Sequence, residues 1–94
     1  MRVKWLRKAL RNLDDEASYI AADSPQAARA VVQRVLNAVA LLCEEPGIGR
    51  PGRVPGTREL VVLNTRYIVP YRVRDQTTEV LRVIHTSRRL PERW

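Results

Sequence analysis

Apolar and basic residues alternate over the first six positions, MRVKWL, with Val3 and Trp5 set against Arg2 and Lys4, the two-residue period of a short strand. From Arg7 the period lengthens. Leu10, Leu13, Ala17 and Ile20 recur at three- and four-residue spacing while Arg11, Asp14, Asp15 and Glu16 take other faces, which predicts an amphipathic helix of about four turns. Ser24 is a good N-cap and Pro25 suits a first helical turn, where its missing N–H is harmless. A second helix is therefore predicted from Pro25 to Glu45, with Ala28, Val32, Val35, Leu36, Val39, Leu42 and Cys43 as a wide apolar stripe. The link between the helices is so short that they are expected to pack as an antiparallel hairpin.

The segment EEPGIGRPGRVPG holds every glycine of the chain together with three prolines, and it predicts an irregular loop. Beyond it the pattern turns to β. RELVVLN reads as a strand, YIVPYRVR as a second after a tight turn, and TEVLRVIHT as a third after DQT. In the middle strand Tyr67, Val69, Tyr71 and Val73 form the better core face, against Ile68, Pro70, Arg72 and Arg74. Pro70 cannot donate to a ladder, so a bulge or one-sided pairing is expected beside it. In the last strand Leu81, Val83 and His85 are expected to alternate together, opposite Val80, Arg82 and Ile84. The predicted fold is α+β: an N-terminal strand, an antiparallel helix hairpin, then a three-strand antiparallel meander with the helices on one face of the sheet.

At 94 residues the chain is expected to be one domain with a modest core built from Leu, Val, Ile and Ala, since it has no Phe. The net charge of +7 comes almost wholly from arginine, Lys4 and Lys8 being the only lysines. Guanidinium forks bind phosphate and carboxylate bidentately, so an acidic partner is indicated, either nucleic acid or an acidic protein segment. An arginine-rich solvated surface is the plainer reading of the same charge. The single cysteine, Cys43, excludes an internal disulfide, and its place in the apolar stripe predicts a buried, inert thiol. One histidine without a nearby carboxylate pair gives too few ligands for a metal, and no cofactor is expected. GIGRPGRVPG lacks the Gly-Lys-Ser/Thr ending of a phosphate loop. Asp14, Asp15, Glu16, Glu44 and Glu45 fit a solvated helix face better than an acid–base pair. With no apolar run of membrane-spanning or signal-peptide length, a cytoplasmic protein is expected, with no membrane partner.

The layout, together with GRPGRVPGTRELVV, YIVPYRV and EVLRVIHTSRRLP, resembles the ParE branch of the RelE/ParE toxin superfamily over nearly the whole chain. The resemblance implies a small basic toxin encoded beside an acidic, ParD-like antitoxin, the two forming a hetero-oligomer. RelE-like members cleave messenger RNA on the ribosome; ParE-like members poison DNA gyrase and stall replication, an activity associated with plasmid stabilisation. In the ribonucleases an arginine commonly follows the aromatic residue that opens the middle strand, and here that position is Ile68. They also tend to carry a tyrosine near the end of the last strand, which is missing after His85. A lysine-rich helix and loop serves some of them, and Lys4 and Lys8 lie far off. The resemblance therefore implies a gyrase poison that acts by binding, with no catalytic residues; the alternative is a ribonuclease with His85 as general base and Arg88 as phosphate clamp. A strand-end histidine bonded to backbone or partner is the other reading of His85.

Arg82, Arg88, Arg89, Arg93 and Trp94 are the candidates for contacting the target or DNA, as a basic, aromatic-tipped tail. For the antitoxin, the hairpin offers more apolar positions than one sheet face can cover. Leu13, Ile20, Val31, Val35 and Leu42 are expected to take its apolar residues, with Arg50 and Arg72 taking its carboxylates. The isolated toxin is expected to be marginally stable and the complex to melt substantially higher.

Overall fold

The computed structural model describes residues 1–88 and 90–94. Its elements run β1 (Arg2–Trp5), α1 (Arg7–Ala21), α2 (Pro25–Ala40), a 3-10 turn (Leu41–Cys43), β2 (Arg50–Pro51), β3 (Arg58–Val61), β4 (Tyr67–Arg74), β5 (Thr77–Val80) and β6 (Ile84–His85). This is the expected α+β order of strand, helix hairpin and antiparallel strands, with β2 added inside the predicted loop. Ser24 caps α2 by accepting the Ala27 N–H at 3.1 Å, and Pro25 follows in the first turn. The sheet order is β1-β5-β4-β3-β2, with β1 parallel to β5 and the other pairs antiparallel. Asp75 and Gln76 join β4 to β5 with φ of 52° and 60°, the two positive values that let a two-residue turn follow the twist of its strands.

The predicted third strand is split. Tyr71 pairs with Val80 and Tyr67 with His85, so four steps along β4 are matched by five along the partner, and one extra residue is bulged between β5 and β6. Pro70 is the physical reason: its carbonyl accepts the Leu81 N–H at 2.9 Å, but it has no N–H to return. The extra residue also corrects the expected parity, since Val80 and Val83 both enter the core that the helices cover.

That core joins Ala9, Val35, Val39 and Leu42 to Leu60, Val62, Tyr67, Val69, Tyr71, Val80 and Val83. Val73, placed by sequence on the same face, lies past the end of the helices and is exposed. Four further expectations are corrected here. The α-helix stops at Ala40 rather than Glu45, and the tighter 3-10 turn rotates Cys43 out to solvent, where its Sγ–H donates to the Met1 carbonyl at 2.8 Å. Leu10 is exposed, and the inward stripe of α1 runs Ala9, Leu13, Glu16, Ile20. Glu16 is buried, not solvated.

Candidate functional site

The stripe of α1 brings Glu16 over the start of β4, where the Tyr67 hydroxyl donates to its Oε1 at 2.9 Å. After β6 the chain turns sharply: the Thr86 N–H reaches the Arg66 carbonyl at 2.7 Å and the Arg88 N–H the His85 carbonyl at 3.1 Å. That turn swings Arg88 back onto Glu16. Its Nη2 donates to Oε1 at 3.0 Å and its Nη1 to Oε2, a two-pronged ion pair. An open cleft of about 350 Å³ adjoins the pair, lined also by Tyr19, Ile20, Val31 and Arg66.

Burial alone would raise the Glu16 carboxyl, but the hydrogen bonds from Arg88 and Tyr67 and the Arg88 charge outweigh it and hold the group below the usual carboxylate range. Burial, then the bond to Glu16, pushes the Tyr67 phenol up to about 12. Its own hydrogen bonds to Glu16 raise the Arg88 guanidinium further above its ordinary value. At neutral pH the cluster is thus a carboxylate, a guanidinium and a neutral phenol.

His85 stands edge-on to Tyr67, ring centroids 5.2 Å apart and planes at 89°. Its Nδ1 accepts the Ser87 N–H at 3.2 Å and lies 2.8 Å from Ser87 Oγ. A ring nitrogen that accepts an amide N–H carries no proton, so Ser87 Oγ–H donates as well and the neutral ring is protonated at Nε2. The histidine is held by its own turn.

As a nuclease centre this arrangement is poorly charged. Arg88, the expected phosphate clamp, is already matched by a carboxylate, and a phosphate entering the cleft would meet Glu16 as well as Arg88 and Arg66. Among the described residues, no group of three His, Cys, Asp or Glu side chains could hold a metal ion.

The other predicted residues are dispersed. Arg82 donates from Nε to Asn12 Oδ1 at 2.7 Å and from Nη1 to the Trp94 carbonyl at 3.4 Å. Trp94 is half-buried, its indole N–H 3.4 Å from Thr57 Oγ1, so the C-terminal segment folds back over the sheet face opposite the helices instead of projecting. Arg93 is exposed, and Arg89 lies outside the described residues. Arg50 pairs with Glu59 at 3.2 Å and Arg72 with Glu79 at 2.6 Å. Leu13, Ile20 and Val31 are partly buried against the core. Val35 and Leu42, expected on the antitoxin surface, are 0% exposed and fill the chain's own interior. Sequence reasoning read Glu16 as part of a solvated helix face and saw Tyr67 only as core. The available signal was a carboxylate three residues after Leu13 and four before Ile20, inside an apolar stripe.

Residues 3–90 match the family described as ParE toxin of type II toxin-antitoxin system, parDE. The chain is 45% identical over 91 residues to a curated protein of Sinorhizobium fredii named "Putative toxin Y4kP", covering 97% of this chain and 94% of that one. It is also similar to a solved chain titled "Chromosomal ParDE TA system from P. aeruginosa", with TM-score 0.83, 33% identity, and 90% of this chain and 95% of that chain covered.

Proposed function

Because the chain belongs to the ParE toxin family of type II toxin–antitoxin systems, we propose that it poisons DNA gyrase by binding and is held in check by a ParD-like acidic antitoxin. The observation that carries the binding reading over a nuclease is the Glu16–Arg88 pair, which commits Arg88, the expected phosphate clamp, to a carboxylate of the chain itself. Ile68 in place of an arginine, and the missing tyrosine after His85, support the same choice. The role is cytoplasmic, where gyrase acts, in a module that stabilises a plasmid or other replicon; no described helix is long and apolar enough to cross a membrane.

For the antitoxin the cleft at the hairpin end supports a narrower footprint than the sequence did. Tyr19 is 73% exposed beside the partly buried Ile20 and Val31, an apolar rim next to Arg66 and Arg88. A segment with apolar anchors and carboxylates matches both features of that rim. Binding of such a partner to the folded toxin raises its melting temperature.

The deciding assay is supercoiling by purified gyrase with linear DNA scored. Linear DNA is expected to accumulate with the wild-type toxin and equally with His85→Ala. Cleavage of messenger RNA in a purified translation system, lost in His85→Ala, would establish the ribonuclease instead.

A further inference from the structure

The sheet face turned away from the helices carries a second arrangement of charge, remote from the cleft. Glu59 on β3 lies opposite Pro70 of β4, and Glu79 on β5 lies opposite Arg72, so both carboxylates project to this face. Each is almost covered, with side chains 4% and 11% exposed. Above Glu59 sit Arg50 at 3.2 Å and Arg53 at 3.8 Å; above Glu79 sit Arg72 at 2.6 Å and Arg74 at 3.4 Å. The arginines remain 36% to 58% exposed. Lys4, opposite Glu79 in the parallel pair, and Arg2, two residues before it, extend the same face. Six cations against three carboxylates, Glu59, Glu79 and the turn residue Asp75 beside Arg2, Lys4 and Arg74, leave three of the chain's seven net positive charges here.

We infer that this face docks on the phosphate backbone of duplex DNA. In each trio a buried glutamate gathers two arginines from beneath: Glu79 bonds both Arg72 and Arg74, and Glu59 bonds the Arg50 guanidinium and the Arg53 backbone N–H with the Arg53 Nε at 3.8 Å, so that partly exposed guanidinium forks are held over one rigid sheet, a preorganised arrangement for phosphate. The two trios lie on neighbouring strand pairs of one rigid sheet, roughly 12 Å apart from strand spacing and rise. That reach crosses several duplex charges, which come about one per 1.7 Å of helix axis. Single strands are held largely by bases stacking on free aromatic rings. The aromatic at this face, Trp94, is half-buried with its N–H turned to Thr57, so rigid phosphate geometry is the better match.

The test uses the purified full chain and a short duplex of mixed sequence, with binding followed by fluorescence anisotropy across about 50 to 200 mM salt. Arg53→Gln with Arg74→Gln removes the longer-range partner of each glutamate and leaves Arg50 and Arg72 to keep the carboxylates paired. The magnitude of the salt slope is expected to fall by about 1.8, two contacts at about 0.9 each. Arg29→Gln with Arg34→Gln removes the same charge from the exposed side of α2 and is expected to change little. Should the first pair lower the melting temperature, Lys4→Gln with Arg53→Gln gives the same reading. Equal slopes for wild type and the face variants overturn the proposal, as does an equal loss in the α2 control. A single-stranded oligonucleotide or polyglutamate bound as tightly as the duplex overturns the choice of duplex DNA. Neither gyrase nor antitoxin is present in this assay, so its outcome is independent of the gyrase reading.

Discussion

Removing one oxygen, in Tyr71→Phe, tests how the long loop between the helices and β3 is held. Tyr71 is fully buried, and its hydroxyl makes two bonds into that loop: it accepts the Gly49 N–H at 2.8 Å and donates to the Pro46 carbonyl at 2.7 Å. The ring lies so close that a Cβ on residue 49 would meet Tyr71 Cε1 and Oη at 2.6 Å, which is why a glycine stands there. Phenylalanine keeps the ring and opens almost no cavity, so the cost is that of the bonds. Each hydrogen bond contributes about 1 kcal/mol net, and a buried donor left unmatched costs about 1–3 kcal/mol, so losing both bonds and stranding the Gly49 N–H costs about 3 kcal/mol. For a domain of this size that lowers Tm by roughly 12–24 °C. Thermal unfolding followed by circular dichroism measures it, with Tyr19→Phe, at an exposed ring, as the control expected to shift nothing. A fall below about 4 °C, equivalent to less than about 1 kcal/mol, would show that water takes over both bonds and that the hydroxyl is not the loop's anchor.

The Glu16–Tyr67–Arg88 cluster contributes at both ends of the pH range. Glu16 has a lowered folded pKa, so its stabilisation is present above the unfolded value and is lost as pH falls through the folded one; Tyr67 is raised from 10.0 to about 12, so its contribution is present below 10 and is lost as pH rises towards 12. Stability against pH in urea is expected to show both limbs, with Tyr67→Phe removing the alkaline one. Deleting Trp94 takes a half-buried indole from the groove it lines with Val54, Pro55 and Leu81, and bonds from Arg82 and Thr57, and is expected to cost about 1–2 kcal/mol with increased binding of an apolar dye; unchanged melting would show that the tail does not contribute to stability.

The element order was legible because each segment shows one dominant period, three to four residues from Arg7 to Ala40 and two from Arg58 to Val80. Pro70 marked its own bulge, since a missing donor is written in the sequence. What periodicity could not show is what stands opposite a residue. Val35 and Leu42 looked like surplus apolar surface because the reach of the sheet beneath the second helix depends on where the strands pair. Cys43 was misplaced because a shift from α to 3-10 geometry over three residues turns the stripe, and nothing in LLC announces it. Glu16 was read as solvated because its partners, Tyr67 and Arg88, lie 51 and 72 residues away in sequence.

Glu16, Glu59 and Glu79 share a design that changes how the chain's charge is read. They are the buried carboxylates among the described residues, and each is paired with one or two arginines. Five of the fifteen arginines are thereby committed to the fold while still exposing guanidinium to a partner. Composition alone treats all fifteen as equivalent surface cations, which they are not. Replacing Arg72 or Arg88 singly leaves a buried carboxylate without its closest counter-charge, a change that destabilises through the stranded partner whatever the arginine contributes to binding. A loss of toxicity on such a replacement therefore cannot be assigned to a lost contact until the matching change, Arg72→Gln with Glu79→Gln or Arg88→Gln with Glu16→Gln, has separated folding from recognition.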